Sequence, residues 1–352
     1  MDKQNTTILD VARLAGVSKG TVDRVLHNRG EVSAKSAEKV REAVRQLNYE
    51  PNLYASLLAS RKECTIACII PSYNEGEYWE KIHEGILLGS EDVASMGVKT
   101  EVHIYDQYNL ASFKKVCQEV LESSPSGVIL PPLFKGETMD FALKLKENSI
   151  PYVYVDTRIE DENYLAYIGM PMYKSGYLSA ALLTDRCSPG SLRRVVVVRI
   201  LRDKAGQSDP TASRREGFMD YMSTYFPDCA IDQVMIDPAD RNGCFESLEQ
   251  YFSLNPEVRH IVMFNSRVHL IAEFLDTRGP QGAVVVGYDD LEKNLEMLRS
   301  GRLSMLICQH TANQSRNAVR LLTDYILVGK KPQPRDNFVH MDIITRFNMD
   351  NY

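Results

Sequence analysis

The sequence predicts a chain in two parts: an N-terminal all-α head, and an α/β body of two doubly wound parallel-sheet subdomains. Three observations carry this expectation. Residues 7–49 place apolar side chains at helical spacing between breaks marked by Gly and Ser. From Thr65 onward, short strand-like apolar runs alternate with amphipathic helical stretches, the pattern of parallel sheets covered on both faces. The charge is also uneven. Residues 1–62 hold 11 Lys and Arg against 7 Asp and Glu, a net +4, while the rest hold 30 against 40, a net −10.

The head reads element by element. Thr7 precedes I-L-D-V-A-R-L-A with Asp10 three residues on, a capping box with Asp in the place of Glu. Ile8, Val11, Ala12 and Ala15 then share one face. Gly16 ends this helix, and Ser18 caps a second that turns Val22, Val25 and Leu26 inward. So short a connection is the tight turn of a helix-turn-helix. After H-N-R-G, Ser33 caps a third helix with Ala37, Val40, Val44 and Leu47 along one side. The core of such a head is small, so its stability alone is marginal. Tyr49-Glu50-Pro51-Asn52 breaks the pattern. The following L-Y-A-S-L-L-A-S has room for about two helical turns, too few to hold in isolation. The expected boundaries are a head over 1–50, a hinge helix and linker over 51–63, and a body over 64–352.

In the body, T-I-A-C-I-I-P (65–71) reads as a strand buried on both faces. Comparable runs occupy 102–106, 127–132, 151–156, 164–169, 194–200, 260–265 and 283–289. Helical stretches lie at 82–96, 113–123, 138–148, 173–185 and 212–225. Ligands of open α/β sheets bind beyond the carboxyl ends of strands, where this chain carries Asp106, Asp156, Asn265 and Asp289.

Composition excludes several classes. Apolar residues at 44% and charged residues at 25% are ordinary globular usage, enough for real cores. No run of eighteen apolar residues suggests a membrane span, and the N-terminus lacks the basic and apolar regions of a secretory signal. Seven cysteines without a CxxC pair read as reduced thiols in a cytoplasmic protein, and no metal site is expected. A phosphate-binding glycine loop is missing, so no nucleotide cofactor is expected. The basic head on an acidic body confines any DNA contact to the head.

These residues resemble the lac repressor (LacI/GalR) family of transcription regulators. T-T-I-L-D-V-A-R-L-A-G-V-S-K-G-T-V-D-R-V-L, V-S-A-K-S-A-E-K-V-R-E-A-V-R-Q-L-N-Y-E-P-N and L-L-A-S follow that family's head in order and spacing. The body resembles the periplasmic sugar-binding fold through I-I-P, S-G-V-I-L-P-P, I-P-Y-V-Y-V-D, R-R-E-G-F, V-V-V-G-Y-D-D and R-F-N.

The resemblance implies that the second helix enters the major groove with Lys19, Gly20 and Arg24 at its base-reading positions. An arginine bidentate to guanine contributes roughly 1–3 kcal/mol of discrimination. Gly20 has nothing to read with, and as a mid-helix glycine it is expected to cost ~1 kcal/mol while permitting close backbone approach. Thr7, Ser18, Thr21, Ser33 and Asn52 match phosphate-contacting positions; for the first of these, Ser18 and Ser33 helix capping is the simpler role, with phosphate contact additional. Asp23 departs from the small polar residue usual there. It accepts from cytosine, pairs with Arg24 or Lys19, or faces water. Leu58 matches the leucine that wedges into the minor groove; its alternative is packing on the body.

The resemblance also implies a small-molecule effector, a carbohydrate, held between the subdomains by Tyr78, Trp79, Asp156, Arg214, Asn265, Asp289 and Gln309. Trp79 has the alternative of filling the cleft mouth or a dimer interface. Two departures stand out: Asn265-Ser266 where the family often has Asn-Asp, and Gly169-Met170-Pro171 where it has Gly-x-Asp. They point to a ligand that is not a standard hexose or is itself anionic. The implied protein is a cytoplasmic homodimeric repressor of a pseudo-palindromic double-stranded operator, without cofactor, metal or membrane association and without a tetramerising coil. The alternatives are a sugar sensor acting mainly as an activator and a carbohydrate-active enzyme, for which no catalytic motif appears.

Overall fold

The computed structural model describes residues 7–26, 32–47, 49, 64–160, 163–185, 187–188, 190–201 and 211–351. The chain divides into two compact units, Met1–Lys62 and Glu63–Tyr352. The expected hinge over 51–63, with Asn52 and Leu58, lies outside the described residues.

The first unit contains helices Ile8–Ala15, Lys19–Leu26 and Ala34–Gln46. Thr7 forms the capping box: its backbone N–H donates to Asp10 Oδ2 at 3.0 Å, and Asp10 N–H donates to its hydroxyl. Gly16 ends the first helix at φ 65°, a left-handed turn that costs glycine little. Ser18 and Ser33 accept from the N–H groups of Thr21 and Ser36, offsetting the unpaired donors of the helices they begin. Val11, Ala12, Ala15, Val22, Val40 and Ala43 form the buried core, with Val25 and Leu26 packed beside it.

The second unit has two parallel sheets. β1 (Cys64–Pro71), β2 (Val98–Tyr105), β3 (Gly127–Leu130), β4 (Tyr152–Asp156) and β5 (Ala166–Gly169) make the first lobe. β6 (Arg194–Ile200), β7 (Ala230–Ile236), β8 (His260–Met263), β9 (Val284–Tyr288) and β10 (Met305–Cys308) make the second. The late strands β11 (Asp336–Phe338) and β12 (Asp342–Ile344) complete one sheet each. The orders are β11-β5-β4-β3-β1-β2 and β12-β10-β9-β8-β6-β7. Every pairing is parallel except β12 against β10.

The chain passes between lobes three times. It leaves the first after β5, returns after β10 in helix Thr311–Val328, and crosses again between β11 and β12. Helix Thr311–Val328 is fixed to the first lobe at Gly85, where a Cβ would stand 2.0 Å from the Ala312 carbonyl oxygen.

Sequence runs foretell β1–β6, β8 and β9 but not β7, a sheet-edge strand of mixed burial, nor the short β10 and β11. The helix expected from residue 82 starts four residues earlier, over Tyr78–Ala94. Tyr78 and Trp79 look like loop residues in sequence, and the core of the first lobe draws them into the helix.

Candidate functional site

In the head, Thr7, Ser18, Lys19, Gly20, Arg24 and Ser33 are exposed and Thr21 is half-buried, so the second helix shows its polar side to solvent while Val22 holds its apolar side. Gly20 is not mid-helix. It is the second residue of Lys19–Leu26, in the first turn, where backbone donors lack intrahelical partners and the cost of glycine is smaller. A Cβ there would meet only Ser18 Oγ at 3.8 Å and Arg24 Nη2 at 3.9 Å. Gly20→Ala is therefore expected to raise head stability by about 0.5 kcal/mol; thermal unfolding of the wild type and variant measures it, and a loss of stability would contradict the open space. Asp23 is half-buried, and the carboxylate is close enough to Tyr49 to add to the effect of burial in raising that hydroxyl's pKa.

In the second unit the carboxyl ends of both sheets face one cleft of about 350 Å³. Tyr78, Trp79, Asp156, Arg214, Asn265, Asp289 and Gln309 all line it. The switch points of the two sheets lie here, since β1 pairs with both β2 and β3, and β6 with both β7 and β8.

The polar end is a hydrogen-bond chain that crosses between the lobes. The Tyr78 hydroxyl donates to Asp156 Oδ1 at 2.6 Å. Gln309 Nε2 donates to Tyr78 Oη at 3.1 Å and to Asp289 Oδ1 at 2.8 Å. Gln314 braces this chain, donating to Gln309 and accepting from the Asp156 N–H. Both acids stand at equivalent places, one ending β4 and the other directly following β9, and both have left-handed backbones, φ 65° and 70°. A non-glycine residue held there stores about 1–2 kcal/mol, a cost that concentrates at functional positions. Burial pushes the Asp289 carboxyl up to about 7, against the pull of Arg214 and Gln309. The Tyr78 phenol lies well above its ordinary value through burial and the nearby Asp156.

Arg214 stands at the start of helix Ala212–Tyr225, only 5% exposed. Its guanidinium lies 4.3 Å over the Tyr288 ring and donates to the Phe264 carbonyl at 2.7 Å. Across the cleft, Arg267 Nη2 of the second lobe meets Glu77 Oε1 of the first at 2.9 Å. Burial raises the Glu77 pKa, but its bonds to Asn74 and Arg267 prevail and hold it below the ordinary range.

Several residues at the cleft carry no sequence signal. Asn294 donates to the carbonyls of Ser266, Tyr288 and Asp289, and accepts from the His269 N–H, so it ties together the loops after β8 and β9. Asn294 and Gln314 sit in helices, where a lone amide reads as solvent-facing. Trp79 reaches the cleft wall but is 8% exposed, the rest of its ring lying in the core. The open aromatic surface comes from Tyr108, 53% exposed in the loop after β2. Among the described residues, no cluster of three or more His, Cys, Asp or Glu could hold a metal, and no helix is long and apolar enough to cross a membrane.

Comparison with known proteins follows the same division. Residues 7–52 match the family of bacterial regulatory proteins of the lacI type, and residues 66–331 match the periplasmic binding protein domain. Catabolite control protein A of Staphylococcus xylosus is 32% identical over 158 residues, 44% of this chain and 45% of that protein, so the match spans less than half of that relative's length. The HTH-type transcriptional regulator CelR of Thermobifida fusca is 24% identical over 347 residues, covering 94% of this chain and 95% of its own. A crystal structure from Bacteroides fragilis, described as a LacI transcriptional regulator, superposes with TM-score 0.77 at 32% identity, covering 83% of this chain and 100% of that one. A glucose-galactose binding protein, GanP of Geobacillus stearothermophilus, shares the fold at TM-score 0.70 and 18% identity, with 82% and 99% coverage.

Proposed function

The chain belongs to the LacI family of bacterial regulators and carries its periplasmic-binding-protein domain, and from that premise we propose that it is a transcription regulator, a repressor, whose grip on DNA is set by a carbohydrate in the cleft. The observation that carries this reading is the convergence of seven polar and aromatic side chains from both lobes on one cleft. A ligand there contacts both lobes at once, so it has more to gain from one relative lobe position than from another. That differential affinity is what an allosteric effector requires.

In this reading Lys19 and Arg24 read base edges, and Thr7, Ser18, Thr21, Ser33 and Asn52 hold phosphates. Leu58 is the minor-groove wedge. The working unit is a homodimer on a pseudo-palindromic operator, since two heads on a two-fold axis read the same half-site in opposite directions. Leu87 and Leu88, exposed on helix Tyr78–Ala94, offer apolar surface to a second copy. The reading assigns no catalytic residue.

The test is binding of the full-length protein to promoter DNA flanking its own gene. Affinity is expected to fall steeply between 50 and 200 mM salt, by about 10-fold or more. Removing residues 1–62 abolishes this binding and leaves ligand binding in place. Salt-insensitive binding, or loss of ligand binding on truncation, counts against the reading. Leu58→Ala weakens operator binding and spares binding to random sequence; equal losses would remove the wedge.

A further inference from the structure

The ion pair between Glu77 and Arg267 joins the lobes at a distance from the crossovers. The crossovers use β5, β10, β11 and β12, which stand together at one end of each sheet. Glu77 lies in the loop after β1, and Arg267 in the loop after β8. At a strand spacing of about 4.8 Å, β1 stands about 14 Å from β5, and β8 about 10 Å from β10. A rotation that opens the cleft about the crossovers therefore separates this pair more than it separates groups beside them. Gln309 directly follows β10, so its bond to Tyr78 lies nearer the axis of such a rotation.

Both partners are presented from braced loops. The Asn74 N–H donates to Glu77 Oε2 at 3.1 Å, which leaves Oε1 for Arg267. The Glu77 N–H donates back to the Asn74 carbonyl at 3.1 Å. On the second lobe, the Arg267 N–H donates to Asn265 Oδ1 at 3.0 Å, and Asn294 holds the Ser266 carbonyl at 2.9 Å. With both loops fixed in this way, the 2.9 Å contact depends on the spacing of the lobes. The two side chains are only 26% and 20% exposed, so water screens their attraction less than that of an ordinary surface pair.

We propose that Glu77 and Arg267 form a latch that holds the two lobes together over the cleft. Both residues line the cleft, so the closed pair also stands in the way of anything entering or leaving there. The latch needs no ligand to act; that an effector must break it to exchange rests on the carbohydrate-effector reading above. Its contribution is to the balance between open and closed lobes, the balance an effector would bias.

The experiment is acrylamide quenching of tryptophan fluorescence in the full-length protein with no ligand added. Trp79 is the sole tryptophan, lines the cleft two residues from Glu77 and is 8% exposed. Glu77→Gln, which keeps an acceptor for the Asn74 N–H, and Arg267→Gln are made singly and together. Each single variant is expected to raise the open-to-closed ratio about fivefold and the quenching constant about twofold, the size of an ion pair only partly out of water. The double variant is expected to match either single one, because both remove the same interaction. Arg267 stands on the lobe opposite Trp79, so its effect there reports lobe separation rather than a local change. Quenching constants that stay at the wild-type value, or single effects that add in the double variant, overturn the latch and leave the carbohydrate reading intact. A lower melting temperature with unchanged quenching marks a purely structural ion pair and overturns it equally. If no sugar binds, the effector reading falls and the latch stands on its quenching result.

Discussion

Replacing Asp289 with asparagine is expected to stabilise the ligand-free protein at pH 8 while weakening its hold on the effector. The carboxyl is 2% exposed, and burial lifts its pKa from 3.8 to about 7. Between those values the folded protein holds a proton that the unfolded chain has released. Stability tied to this group is therefore fully present below about pH 4 and is lost as pH rises through 7. Three units correspond to about 4 kcal/mol at most, and relaxation of the cleft brings the expected gain nearer 2 kcal/mol. Asparagine keeps an acceptor for Gln309 and carries no charge to desolvate. Urea denaturation of both proteins from pH 4.5 to 8.5 measures the effect: the curves lie close at the acid end, separate as pH rises towards 7, and keep a constant gap above it. A gap that does not change between pH 4.5 and 7 would mean that Asp289 is charged at little cost in the folded state. The same substitution removes a ligand acceptor, the trade of stability against function expected where a site keeps a strained, buried acid.

The second large effect is expected from Gly176→Ala. Helix Met172–Thr184 crosses helix Ala212–Tyr225 so closely that a Cβ on Gly176 would stand 1.7 Å from the Arg214 carbonyl oxygen and 2.7 Å from its Cα. The obstruction is backbone, so no side-chain rotation relieves it. Gly217 makes the reciprocal approach, 2.0 Å from the Tyr173 carbonyl oxygen. A methyl group here forces the helices apart, which is expected to cost about 3 kcal/mol in stability. It also carries the backbone of Arg214 away from Tyr288 and Phe264, so effector affinity falls in any fraction that folds. Thermal unfolding and ligand titration read the two consequences separately. An alanine variant with unchanged melting temperature would show that the helices separate without penalty.

Much of this was readable in the chain. Thr7, Ser18 and Ser33 stand immediately before apolar periodic runs, and capping is a local interaction between residues three apart, so sequence spacing reports it directly. The runs at 65–71, 194–200 and 283–289 are apolar at their centres because both faces of those strands are covered. An acid directly after such a run, as at Asp156 and Asp289, marks a strand's carboxyl end. Reading Gly20 as mid-helix overlooks Ser18, since that cap already places it second in the helix, in the first turn. Tyr108 gave no signal, since exposure of an aromatic ring at a cleft rim depends on what stands opposite it.

The sequence by itself determined the division into a basic helical head and an acidic α/β body, the caps and turns of the head, and most of the strands. These follow from periodicity, charge and neighbour spacing, quantities defined along the chain. Only the tertiary structure decided that Tyr78, Gln309 and Asp289 form one hydrogen-bond chain, that both cleft acids adopt left-handed backbones, and that Arg214 is buried over the Tyr288 ring. Residues 78, 214 and 309 meet because the chain crosses between two sheets three times. Burial and charge compensation are sums over everything within reach in space, and residues adjacent in space need not be adjacent in sequence.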